Sequence, residues 1–445
     1  MQTSLLNKYC DARLPWYTIY PTVPDFSAMF GAKTYELWLR RLPPDEPVSL
    51  YVHVPFCRSI CWYCGFPTSL ARSERPIRNY LAAMHEEIRL VAEQAPRALP
   101  VSDLHFGGGT PTTIARTDFL ALMELLRRRF AFSKSATIAI EIDPRAFTAG
   151  MAETLREVGV NRASIGVQSF DPLVQRSVNR VQSEVQTASA VESLRQHGIN
   201  RINFDLLFGL PRQSVRSCVE SARTALAMRP DRLAVFGYSH VPSYMKRQRQ
   251  IDEAALPDNV ARAEQAEAIA DTLVAAGYRQ IGLDHFALPH DELALAQKAG
   301  ELHRNSLGYS SDTCKTVIGL GPSAIGRLRD GYVQNEIATA SYDRHIQAGR
   351  LATSKGYCLS AEDRLRAAII ERLMCDLQVD VPEICAAHGF DPIPLLDSAD
   401  RLGMLAEDGI VDIEEGFIRV KREHRFVIRA VAAAFDTYLD RTPIN

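Results

Sequence analysis

The run Ser49-Leu-Tyr-Val-His-Val-Pro-Phe56, followed at once by Cys57-Arg-Ser-Ile-Cys61-Trp-Tyr-Cys64, decides how the rest of the chain is read. The first half is rich in β-branched and aromatic residues and predicts a strand. The second half places three thiols at Cys57-x3-Cys61-x2-Cys64, directly beyond the end of that strand. Three readings are open: an iron-sulfur cluster held by three thiolates with one iron left free, a structural zinc site completed by His53, or three unrelated cysteines near a loop. On the first reading the free iron is where chemistry occurs, because it can bind a second molecule.

Working outward, a second β-like run from Val101 to Phe106 ends in Gly107-Gly-Gly-Thr-Pro111. Consecutive glycines let backbone approach a small polar ligand, since no Cβ stands in the way. Up to about residue 240, strands are predicted at Ser49 to Pro55, Asp103 to Gly107, Thr137 to Ile142, Arg162 to Val167, Ile202 to Phe208 and Leu233 to Tyr238, alternating with amphipathic helices. Six such βα units imply a parallel sheet, whose crossovers need helices. Their carboxyl ends carry the triad, Gly107 to Gly109, Glu141, Asp143, Gln168, Asp205 and Tyr238, and in parallel α/β folds ligands bind at those ends. The expectation is therefore α/β: an incomplete (β/α)6 barrel over residues 48–355 with its C-terminal additions. An N-terminal extension covers 1–47, and a small, mainly helical, winged-helix-like domain covers 356–445, with a β-like pair near Ile410 to Val420 and a last helix running to Leu439.

Composition narrows the function classes. Lys plus Arg total 51 against 53 Asp plus Glu, so charge gives no reason to expect nucleic acid or a membrane surface as partner. The start lacks a signal-like pattern and no apolar run approaches membrane-spanning length, so a cytoplasmic protein is expected. Nine cysteines, an odd number in a large chain, argue for reduced thiols. Outside the triad they are scattered, and Cys314 alone falls in a Gly/Ser-rich stretch of interest.

The triad followed by a Gly-Gly-Gly motif resembles the radical S-adenosylmethionine superfamily. Tyr51-Val-His-Val-Pro-Phe-Cys57, Glu141-Ile-Asp-Pro-Arg145, Gly166-Val-Gln-Ser-Phe170, Val178-Asn-Arg180, Asn203-Phe-Asp-Leu-Leu-Phe-Gly-Leu-Pro211, Leu302-His-Arg-Asn305 and Phe435-Asp-Thr-Tyr-Leu439 carry the likeness further. Almost end to end, the pattern resembles oxygen-independent coproporphyrinogen III dehydrogenases. The resemblance implies a radical SAM barrel and a [4Fe-4S] cluster on Cys57, Cys61 and Cys64. It implies one bound S-adenosylmethionine and leaves a second open. In that family the cluster gives an electron to S-adenosylmethionine, and the resulting 5'-deoxyadenosyl radical takes hydrogen from a substrate propionate. Loss of CO2 and an electron leaves a vinyl group; done twice, this makes protoporphyrinogen IX for haem synthesis.

Carried over residue by residue, Tyr63 would pack near the adenine, and Gly108 and Thr110 would meet the methionine end. Glu141, Gln168, Arg180 and Asp205 match cofactor-binding positions, Tyr51 and His53 flank the site, and Ile325 matches a position near a second cofactor. Tyr51, His53 and Glu141 are the candidates for the catalytic centre. The implied partners are coproporphyrinogen III and a reductant such as flavodoxin, with the chain acting as a monomer.

Three positions depart from the family pattern. Phe66 stands where a further cysteine associated with activity is expected, and phenylalanine cannot relay a proton. Ser306-Leu307 replaces a Phe-Gln pair associated with the second cofactor, and leucine offers no hydrogen bond. Trp16 replaces an arginine whose loss from a substrate carboxylate would remove about 1.5–3 kcal/mol of charged hydrogen bonding. The triad followed by phenylalanine is also the pattern of related haem chaperones, which keeps a haem-binding protein, or a divergent paralogue acting on another tetrapyrrole, as the alternative.

Overall fold

Strand β1 (Val48–Val54) is the centre from which the sheet grows in both directions. The computed structural model describes residues 3–10, 14–397 and 400–439. On one side of β1, parallel pairing runs in chain order through β2 (Pro100–Gly108), β3 (Ala131–Ile142), β4 (Arg162–Gln168), β5 (Arg201–Phe208) and β6 (Arg232–Gly237). Between consecutive strands lie helices α1 (Arg75–Gln94), α2 (Arg116–Arg129), α3 (Ala149–Glu157), α4 (Glu184–Gln196) and α5 (Val215–Ala227), and α6 (Asn259–Ala275) follows β6. Serine side chains at Ser183 and Ser214 cap α4 and α5 by accepting from the third helical N–H, which fixes where each crossover begins.

The sheet extends beyond the six expected strands. β7 (Arg279–Ile281) and β8 (His285–Ala287) add antiparallel strands outside β6. On the other side of β1 lies β9 (Thr316–Leu320), a further parallel strand, followed by antiparallel β10 (Ile325–Arg327), β11 (Gly331–Asn335) and β12 (Thr353–Cys358). The result is one 12-stranded sheet whose outermost strands, β12 and β7, do not pair, so the barrel stays open.

Alternation along each strand sorts chemistry from core. In β5, Ile202, Phe204, Leu206 and Phe208 are buried against the helices, while Asn203 and Asp205 face the opposite side. The main apolar cluster joins these outward residues to the helices and runs from Tyr35 to Ala352.

A second cluster is built from the helix Ala361–Asp376, the antiparallel strands Gln378–Asp380, Val411–Glu414 and Phe417–Val420, and the segment to Phe435. Tyr17 and Tyr20 of the N-terminal arm belong to it. Tyr17 Oη donates to Asp436 at 2.9 Å, and Tyr20 Oη accepts from Thr437 N at 3.2 Å. The expected last helix to Leu439 is shorter: it spans Ile428–Ala432 and tightens into a 3-10 turn at Ala433–Phe435. It stops there because the Asp436 carboxylate captures Tyr438 N at 2.8 Å in a side-chain turn.

Candidate active site

The carboxyl ends of β1 and β2 are stitched together where the triad begins. Gly109 N donates to Val54 O at 2.8 Å and Thr110 N to Phe56 O at 2.7 Å. This close approach is possible only without side chains at 107 to 109. A Cβ on Gly107 would lie 2.7 Å from Glu141 Oε1, one on Gly108 2.5 Å from the His53 ring, and one on Gly109 2.6 Å from Phe56 O. Gly108 also has φ +105°, a left-handed conformation natural to glycine. Beyond β1, Phe56–Cys57 pairs in parallel with Ser69–Leu70, so Cys57 closes a short strand and the loop that follows carries Cys61 and Cys64. Trp62 N donates to Val178 O at 3.0 Å and Asn179 Nδ2 to Ile60 O at 2.8 Å, anchoring that loop to the turn after the short helix Pro172–Ser177 that follows β4.

The three thiols line one pocket with the strand ends. Thr110 Oγ1 donates to Cys57 Sγ at 3.6 Å. Two guanidiniums reach Cys61: Arg145 Nη2 and Arg180 Nη1 each lie 3.4 Å from its Sγ. Asp143 holds them, accepting 2.6 Å from Arg145 Nη2 and pairing at 3.6 Å with Arg180 Nη1. Donors aimed at sulfur fit a cluster whose thiolates carry negative charge. Burial pushes the Cys57 thiol up to about 11, so cluster binding at this position must displace a proton. A single-ion site does not fit: among the described residues no three His, Cys, Asp or Glu side chains converge on one ion. His53 faces away from that role, its ring nitrogens engaging Tyr51 Oη at 3.0 Å and Pro67 O at 3.4 Å.

Opposite the thiols, carboxylates and amides form the other wall. Glu141 Oε2 accepts from Gly108 N at 3.0 Å, and its Oε1 pairs with His105 Nε2 at 3.2 Å. Asp205 accepts from Asn203 Nδ2 at 2.8 Å and from Ser164 Oγ at 3.1 Å. Burial, with the charge of Glu141 nearby, pushes the Asp205 carboxyl up to about 7. Gln168 takes φ +71°, an uncommon conformation for a residue with a side chain, and such strain concentrates at ligand sites. Arg180 donates to Gly166 O at 2.5 Å, and its Nε is buried without a partner.

The pocket therefore brings together Cys57, Cys61, Cys64, Tyr63, Gly108, Thr110, Glu141, Gln168, Arg180 and Asp205. Tyr51 and His53 sit behind its glycine floor rather than in its lining. Ile325 is away from it, in β10 opposite Gln334. Phe66 is at the rim, 62% exposed. Cys314 lies at the other end of the sheet, 2.9 Å from Ser102 at the start of β2, so the interest its Gly/Ser-rich setting raised is not met. Asp143, expected on the ligand face as a strand-end residue, also lines the pocket, as do Arg145 and Ser164, which were not singled out, although Arg145 stands in the Glu141-Ile-Asp-Pro-Arg145 motif. Arg247 also lines it, donating to Thr68 Oγ1 at 2.7 Å.

This geometry has known counterparts. A family model described as the Radical SAM superfamily matches residues 51–225. Over 440 residues the chain is 52% identical to the oxygen-independent coproporphyrinogen III oxidase of Bradyrhizobium diazoefficiens, covering 99% of this chain and 98% of that one. It is 40% identical over 428 residues to the same-named protein of Paracoccus denitrificans, covering 96% of this chain and 95% of that one. The chain belongs to the oxygen-independent coproporphyrinogen III oxidase family. A solved Escherichia coli coproporphyrinogen III oxidase, described as a radical SAM enzyme, superposes with a TM-score of 0.90 at 37% identity, covering 95% of this chain and 97% of that one. Membership implies a [4Fe-4S] cluster and S-adenosylmethionine as cofactors, and the three-thiol pocket fits both. Among the described residues no helix is long and apolar enough to cross a membrane.

Proposed function

We propose that this chain carries out the oxygen-independent oxidative decarboxylation of two propionates of coproporphyrinogen III, giving the vinyl groups of protoporphyrinogen IX in haem synthesis. The observation that carries this reading is one pocket lined by three thiols, a glycine floor and polar groups from the carboxyl ends of four strands, in a chain of this family. Cys57, Cys61 and Cys64 hold the cluster. When bound, cluster and S-adenosylmethionine together supply one-electron cleavage of the sulfonium and so a group able to abstract hydrogen. The protein supplies position. Gly107 to Gly109 admit the methionine end, a carboxylate such as Glu141 suits an ammonium or ribose hydroxyls, and the Arg180 guanidinium suits a carboxylate. Arg145 and Arg180 place positive charge against Cys61, and Asp143 fixes both.

Several finer points belong to the same reading: an external reductant such as flavodoxin, action as a monomer, and a place in the cytoplasm. Residues 1–47 are treated as an arm, 48–355 as the barrel with its additions and 356–445 as a small domain; the second apolar cluster supports the small domain, with Tyr17 and Tyr20 of the arm packed into it, while strand Thr353–Cys358 of the large sheet crosses the boundary at 355. Ile325 is kept as a second-cofactor position, and Tyr51, His53 and Glu141 as the catalytic centre.

The test is anaerobic turnover of coproporphyrinogen III by reconstituted protein with S-adenosylmethionine, a reductant and an electron acceptor. Release of CO2 with vinyl-bearing product is expected. Stable haem binding and transfer, with no porphyrinogen consumed where an authentic dehydrogenase works, would replace the reading with a chaperone.

A further inference from the structure

A cavity of about 420 Å³ lies apart from the radical pocket and shares no lining residue with it. It lies on the helix-facing side of β5 and β6, under α6, and is closed by the N-terminal arm and by the segment from Arg422 to Arg429. Its walls are aromatic: Trp16, Phe208, Phe286 and Phe426 all line it, with Phe208 and Phe426 centroids 6.1 Å apart.

Two guanidiniums line this space without pairing with any of the carboxylates that share its wall, Glu267, Asp271, Asp284 and Glu423 among the described residues. Arg262 lies 5.8 Å from the Phe208 ring centroid, over Gly209 and Gly237, and its guanidinium makes no hydrogen bond or ion pair among the described residues. The Arg425 side chain makes one hydrogen bond, to Gly282 O at 2.8 Å, and no ion pair among the described residues. The acids nearby do not neutralise them. Glu267, Asp271 and Glu423 are exposed, and buried Asp284 is bonded to His285 at 2.7 Å. Burial, with Arg422 close by, lowers Arg425 to about 10. Half-buried arginines without counter-charge are costly unless an anion arrives. Aromatic walls with two such anchors describe a site for a ring system bearing at least two carboxylates.

We propose that this cavity binds a propionate-bearing tetrapyrrole outside the radical pocket, with Arg262 and Arg425 as its carboxylate anchors. The assignment rests on the function proposed above for its choice of ligand. It also places Trp16, the residue standing where an arginine was expected, in the ligand's wall with the Arg429 guanidinium 4.5 Å over its ring, while carboxylate recognition comes from α6 and the C-terminal segment.

The experiment is fluorescence titration of coproporphyrin III into the full-length, cluster-loaded protein and into Arg262→Gln, Arg262→Lys and Arg425→Gln. Arg262→Gln should weaken binding roughly ten- to hundredfold. Arg262→Lys should fall between, keeping charge but losing the fork. Iron content and S-adenosylmethionine affinity should be unchanged in all three. Because Arg425 also ties Gly282, Ala263→Trp provides an independent test: it fills the cavity, keeps both arginines and should abolish binding. Wild-type binding that survives Arg262→Gln and Ala263→Trp undiminished overturns the proposal, as does a wild type that turns over coproporphyrinogen III yet binds no coproporphyrin. If the wild type neither binds nor turns over, the proposed function falls with it.

Discussion

Glu87 is the clearest place to test the energetics of this fold. Its carboxylate is buried on α1 and accepts from Gly321 N at 2.6 Å, Asn335 Nδ2 at 2.6 Å and Tyr342 Oη at 2.7 Å. Among the described residues no cation pairs with it, and burial pushes the carboxyl up to about 7 from an ordinary 4.5. The native state therefore holds a proton that the unfolded chain has released. Stability from this group is fullest below the unfolded value and falls as pH rises through the folded one. Glu87→Gln matches the shape of the protonated acid and removes the titration. The difference in unfolding free energy, wild type minus variant, should fall by about 2.5 kcal/mol between roughly pH 5 and pH 8. Groups common to both proteins cancel in that difference. Urea unfolding of both proteins, anaerobic and cluster-loaded, measures it across the pH range. A difference that moves by less than about 0.5 kcal/mol would refute the reasoning, since it would mean that burial leaves the Glu87 proton unperturbed. Structurally the group matters because a Cβ on Gly321 would stand 2.6 Å from His53 O, so the turn Glu87 holds presses on the end of β1.

Other outcomes follow from the pocket. Cys57→Ser, Cys61→Ser and Cys64→Ser should each greatly reduce bound iron after anaerobic reconstitution, and stoichiometric zinc without iron in the wild type would contradict the cluster. Gly108→Ala forces a Cβ against the His53 ring at φ +105° and should destabilise the protein by roughly 1–3 kcal/mol while impairing S-adenosylmethionine binding; an unchanged melting temperature and affinity would count against the glycine floor. Phe66→Cys combined with Leu307→Gln should raise the vinyl product formed per S-adenosylmethionine cleaved. A wild type already fully coupled, with a double variant no better, would make both departures neutral.

The strand ends were legible because their chemistry is local. A polar or glycine residue closing a β-branched run marks the ligand face before any tertiary contact is known, and the triad, Glu141, Gln168 and Asp205 all have this signature. β9 was not recognised because Thr316–Leu320 is buried at every position, and a short, wholly buried run has no period to read. Arg145 was overlooked as a sulfur donor because its partner Cys61 lies 84 positions away, and no local spacing encodes that contact. The arginine-lined cavity is likewise assembled from the arm, α6 and the last turns, which only the fold makes neighbours.

The tyrosines of the arm and the Asp436-Thr437 pair that receives them lie more than 400 positions apart in the chain. Synthesis reaches Asp436 and Thr437 only after more than 400 further residues have been joined to the arm, so the arm waits undocked through all of them. A truncation after Phe435 would remove both partners of the arm tyrosines at once, so damage there would be felt at Trp16, in the cavity wall that the arm supplies.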